Sequence, residues 1–152
     1  MKKRNWLIGG LAAVVLCAAG LVYFAIPVPV VRNSAEAEIL FIRYNCNGAD
    51  DLVLIDEGFD QEAILSYLST CRERRTIHTM LNYMLGDVEF DIWLSENGKS
   101  KHVMLGNLNY SYRDTGSLKH EILNAEQVKA ELREILGLDD GRSPCAEDRG
   151  IA

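Results

Sequence analysis

Residues 87–105 read DVEFDIWLSENGKSKHVML. Val88, Phe90, Ile92 and Leu94 alternate with Glu89, Asp91, Trp93 and Ser95. A period of two gives a strand one apolar face and one mixed face. Asn97-Gly98 then supplies two residues that tolerate positive φ, as a type I′ hairpin turn requires. Folding on that turn sets Glu96 against Lys99, Trp93 against His102, Ile92 against Val103 and Phe90 against Leu105. A slip of one residue would send every apolar side chain to the wrong face, so the register is strongly specified.

Working toward the C-terminus, a third strand is expected through Leu108, Tyr110 and Tyr112. Asp114-Thr115-Gly116 turns the chain, and Leu118 to Ile122 forms a short fourth strand. A helix follows. Asn124 is placed to cap it, with Gln127 closing the capping box and Leu123 and Val128 as the hydrophobic staple. Val128, Leu132, Ile135 and Leu136 make its apolar face. Gly137 suits the left-handed C′ position, and Leu138 can fold back on the last turn. Residues 139–152 are polar and aperiodic, and are expected to be a disordered tail.

Toward the N-terminus, residues 36–44 (EAEILFIRY) and 51–56 (DLVLID) read as two strands of a hairpin. Asp60 can cap a helix in which Ile64, Tyr67, Leu68 and Cys71 share one face, with Phe59 and Ile64 as the staple. Arg72, Arg74 and Arg75 would complement the negative end of that helix dipole. Thr76 to Met80 is a further possible strand, and residues 82–86 a connector. The expected fold class is α+β in the order β-β-α-β-β-β-α. It comprises one antiparallel sheet of about 5–6 strands with two helices on one face.

Residues 6–31 contain no Asp, Glu, Lys, Arg or His and follow the basic cluster Lys2-Lys3-Arg4. About 20 apolar helical residues cross a bilayer core, and residues 6–26, closed by Pro27 and Pro29, meet that length. The reading is a single-pass transmembrane signal-anchor over 1–31, with the N-terminus cytoplasmic by the positive-inside rule. An extracytoplasmic domain over 32–138 would then lie beyond the cell membrane. The alternative is secretion after signal cleavage.

Beyond residue 31 the chain carries 13 basic and 22 acidic side chains, a net −9. So acidic a domain is a poor partner for nucleic acid. Cys46, Cys71 and Cys145 lie in this part. In an oxidising space a Cys46–Cys71 disulfide is the first pairing to consider and Cys46–Cys145 the second; three unpaired thiols are the alternative to both. No C-x-x-C spacing supports zinc.

In outline, the basic N-terminus, single apolar segment, strand pair, DQEAILSYLSTC helix, EFDIWLSENGKSKHVMLG hairpin and NAEQVKAELREIL helix resemble small exported domains of Gram-positive-type bacteria. The resemblance covers roughly residues 36–137 and rests on patterning without a signature motif. Such domains are generally uncharacterised and carry no catalytic residues to transfer.

The chain contains no Gly-rich phosphate loop, G-x-S-x-G or H-E-x-x-H. His102 should face Trp93 across the hairpin with Asp91 diagonal to it. A histidine–carboxylate pair can bind metal or move protons, and is also an ordinary cross-strand contact. Trp93, Tyr110 and Tyr112 share neighbouring strands and would form an aromatic patch if they face outward. Asn47, Asp50, Asp51, Asp56 and Glu57 form an acidic patch without calcium-loop spacing. The expectation is a non-enzymatic, membrane-tethered binding or accessory domain. Its candidate binding residues are Trp93, His102, Asp91, Tyr110 and Tyr112, and an envelope protein, peptide or glycan is its partner. No catalytic residue, metal or cofactor is assigned. The rival reading is a cell-envelope hydrolase or metal-binding protein using a His/carboxylate site.

Overall fold

The hairpin forms in the register its sequence dictates. Strand β5 (Val88–Glu96) pairs with β6 (Lys99–Gly106) through Glu96–Lys99, Trp93–His102, Ile92–Val103 and Phe90–Leu105. Asn97 and Gly98 take φ of 54° and 70°, the paired positive values of the expected turn. The computed structural model describes residues 2–45, 52–55, 58–79, 87–113 and 117–138, with side chains from Gly10 onward except at Leu52 and Thr79.

Around the hairpin the chain builds β2 (Ala37–Asn45), β3 (Leu52–Ile55), β7 (Tyr110–Tyr112) and β8 (Leu118–Ile122), close to the expected bounds. Strand β1 (Val28–Pro29) was not in the expected order; it is a two-residue edge piece, where a proline lacking an N–H can be accommodated. Strand β4 (Arg72–Thr79, RERRTIHT) begins at Arg72, ahead of the possible strand at Thr76–Met80, and runs between β1 and β8. The sheet therefore has eight strands in the order β1-β4-β8-β7-β6-β5-β2-β3, all pairs antiparallel, and curls into a half-barrel. The expectation of 5–6 strands is corrected because β4 carries no apolar alternation. Its inward positions hold Glu73 and Arg75, so its first half reads as a polar helix tail. The arginines of that cluster lie along a strand and not at the end of helix α2 (Gln61–Thr70).

Asp60 caps α2 as expected, its carboxylate accepting from the Ala63 N–H at 2.9 Å. Helix α2 links β3, at one edge of the sheet, to β4 near the other, and so crosses the inner face. Helix α3 (Ala125–Ile135) closes with Gly137 at φ 66°, Gly137 N–H bonding Glu134 O and Leu138 N–H bonding Arg133 O. That is the Schellman pairing, and Leu138 packs into the core behind it. Asn124 is the exception. It stands in the left-handed region at φ 54° and its side chain makes no cap bond, so the capping box does not form. Ile42, Phe90, Ile92, Leu94, Val103 and Leu105 of the sheet bury against Ile64 and Leu68 of α2 and Val128 and Leu132 of α3.

Helix α1 (Lys2–Ala25) stops before Pro27 as expected. Among the described residues, however, no helix is long and apolar enough to cross a membrane. The expected transmembrane signal-anchor over residues 6–26 is corrected accordingly. Leu11, Val14, Leu16 and Leu21 are exposed, and the C-terminal end of the helix meets β4. Cys71 is a free thiol buried in the core, and burial raises its pKa. Its expected disulfide partner Cys46 lies outside the described residues, as do Cys145, the acidic patch 47–57 at the positions named and the tail 139–152.

Candidate binding site

Strand parity gives the sheet a second, outer set of side chains. Because Phe41 pairs with Trp93, Trp93 with His102 and His102 with Tyr112, four rings form one row across β2, β5, β6 and β7. Phe41 stacks on Trp93 with centroids 5.4 Å apart and planes at 27°. Trp93 and His102 lie 4.0 Å apart, and His102 meets Tyr112 edge-on at 4.7 Å. The adjacent row runs Arg43–Asp91–Met104–Tyr110–Glu121–Arg74.

The two rows are stitched together by Asp91. Its carboxylate accepts hydrogen bonds from Arg43 and from His102 Nε2, while His102 Nδ1 bonds the Tyr112 hydroxyl. Burial pushes Asp91 upward, but the His102 hydrogen bond and charge, together with Arg43, outweigh it and hold the carboxyl below its ordinary value. Asp91 and His102 are buried, whereas Phe41, Arg43, Trp93 and Tyr112 are half-buried. The fold thus brings Asp91, Trp93, His102 and Tyr112 together. It sets Tyr110 one row away, beneath the Lys119 ammonium at 5.1 Å. Phe41 and Arg43 complete the cluster. Their signal was the alternation of EAEILFIRY, which places them on one face of β2 without revealing its neighbour.

A second polar cluster occupies the inner face and was not anticipated. Glu73 is buried, and its two oxygens accept from Lys101 Nζ at 2.8 Å each, from His120 Nδ1 at 2.7 Å and from Ser111 Oγ. Lys101 Nζ also donates to the Val30 carbonyl, so its three protons all have acceptors. Burial raises Glu73, yet the His120, Lys101 and Ser111 hydrogen bonds and the Lys101 charge hold it below its ordinary value. Burial draws Lys101 downward, and the Glu73 carboxylate pulls the other way. Beside this group, buried Glu96 accepts from the Arg32 and Asn33 N–H groups and from Arg113 at 3.1 Å. Lys101 sits directly across from Leu94, at the point where the apolar inner face gives way to this polar end.

A cavity of about 190 Å³ opens beside the inner cluster, among Arg75, Lys101, Ser111, Arg113 and His120. A larger one, about 300 Å³, lies between the Tyr44–Asn45 end of β2 and α3, where Glu89 bridges Lys129 and Arg133. No group of three or more His, Cys, Asp or Glu side chains suited to a metal ion occurs among the described residues. No protein-family model, curated protein or solved structure matches this chain.

Proposed function

We propose that this is a non-enzymatic binding domain that receives a peptide, glycan or protein partner on the row Phe41–Trp93–His102–Tyr112. The observation that carries this reading is that both nitrogens of His102 are engaged, one by Asp91 and the other by Tyr112. A metal ligand needs a free ring nitrogen, and a general base needs one facing its substrate. His102 offers neither. What it offers is a ring of fixed orientation in a ladder of aromatic faces.

Such a ladder suits a ligand that stacks. Aromatic side chains present large contact areas with few rotatable bonds, so little entropy is lost when a partner docks. Asp91 supports the ladder from beneath as an ionised, fully engaged acceptor, which disfavours the hydrolase alternative. Glu73 is similarly engaged on the inner face.

The reading is tested by screening the full chain against arrayed glycans and peptides in parallel with Trp93→Ala. A ligand of the row should lose at least about thirtyfold in affinity, the scale of an aromatic hot spot. The circular dichroism spectrum should be unchanged. Ligands that bind both proteins equally would overturn the assignment of this face.

A further inference from the structure

The cavity on the inner face has a cationic lining within an acidic chain. Arg75, Lys101 and Arg113 line it, with His120, and none of the described residues lining it is acidic. The carboxylates that balance these cations, Glu73 and Glu96, stand behind the wall and are buried. In a chain of net charge −6 this is a basic recess. Counting Arg75, Lys101 and Arg113 against Glu73 and Glu96 leaves one positive charge.

Hydrogen-bonding capacity remains where the cavity opens. Arg75 spends one N–H on the Tyr23 carbonyl at 3.0 Å and lays its guanidinium 4.2 Å from the Tyr23 ring centroid. Arg113 gives one nitrogen to Glu96. A guanidinium has five N–H donors, so each retains several. The wall is rigid because Glu73 and Glu96 are each held by three or more donors. His120 is fixed through Nδ1, which leaves Nε2 at the cavity side.

We propose that this cavity is a binding site for a compact oxyanion of phosphate or carboxylate type. Drug-sized ligands need roughly 300–1,000 Å³, so about 190 Å³ restricts the site to a small anion or the anionic end of a larger molecule. Paired guanidinium groups favour planar or tetrahedral oxygens through charge-assisted, bidentate hydrogen bonds. A cation is repelled by the same wall. Tyr112 of the aromatic row also lines this cavity, but the cationic groups on which the site depends lie outside the row, so either reading can fail without the other.

The test titrates the full chain with inorganic phosphate, sulfate and acetate against a chloride background of constant ionic strength. Saturable 1:1 binding of at least one oxyanion is expected. The one preferred distinguishes a phosphate-type from a carboxylate-type ligand. Arg75→Gln should weaken it at least about tenfold, the loss of one charge-assisted hydrogen bond. Arg74→Gln, on the opposite face of the same strand, should leave it unchanged. Should Arg75→Gln fail to fold, His120→Asn serves. It retains a donor toward Glu73 while removing the ring from the cavity, and should weaken binding measurably. Absence of saturation with all three anions, or equal binding by Arg75→Gln and Arg74→Gln, would overturn the proposal.

Discussion

Single residues in this protein are defined by how fully their polar atoms are used. Asp91 and Glu73 are both carboxylates in the sheet, both buried, and both held below their ordinary pKa by surrounding donors. A carboxyl depressed in the folded state stabilises the fold above its unfolded value, about 3.9 for Asp and 4.3 for Glu, and that stability is lost as pH falls through the folded value. Urea midpoints should therefore be nearly flat from pH 7 to pH 5 on account of these two groups and decline below about pH 4. Asp91→Asn should shallow the decline while lowering stability at pH 7. A variant whose acid profile matched the wild type would contradict the role given to Asp91. Only one of the two carboxylates was legible as paired from local sequence. The His102 contact of Asp91 followed from hairpin register, but Glu73 lies 28 positions from Lys101 and 47 from His120. No short-range pattern encodes separations of that size.

Elements were legible in proportion to their periodicity. The β5–β6 hairpin has alternation, a turn dipeptide and matched partners, so its register followed from the sequence to the residue. Helix α2 announced itself through Asp60 and the spacing of Ile64, Tyr67, Leu68 and Cys71, of which Ile64, Leu68 and Cys71 are buried. Strand β4 was legible only from Thr76 onward, because its first half has ionic inward side chains and lacks the apolar signal. One glycine shows how tightly the elements meet. A Cβ on Gly106 would lie 2.0 Å from the Asp87 carbonyl oxygen, and backbone cannot yield as a flexible side chain does. Asn107 N–H bonds that same carbonyl at 2.9 Å, holding it in place. Gly106→Ala should cost about 1–3 kcal/mol, as overpacking does, read from the shift in denaturation midpoint. An unchanged midpoint would mean that the β5–β6 hairpin does not close as described.

At the scale of the molecule, one sheet separates two kinds of surface. Its apolar inner half is closed by α2 and α3, its polar inner end opens into a basic cavity, and its outer side carries the aromatic row. This arrangement depends on the strand order β4-β8-β7-β6, which alone brings Glu73, His120, Ser111 and Lys101 into contact. The sequence revealed neither that order nor the cavity, since both arise where strands far apart in the chain adjoin. The N-terminal helix illustrates the opposite error. Its uncharged run suggests a membrane span, whereas among the described residues no helix is long and apolar enough to cross a membrane. The most direct test is a double-mutant cycle on Glu73 and Lys101, using Glu73→Gln, Lys101→Met and the double variant in urea denaturation. Lys101→Met alone should cost about 3–5 kcal/mol, because it leaves a buried carboxylate without its cation. The double variant should recover much of that loss, giving a coupling of at least about 1.5 kcal/mol. Strictly additive effects would mean that the two side chains do not meet, and would contradict the strand order on which the cavity and the sheet's two faces rest.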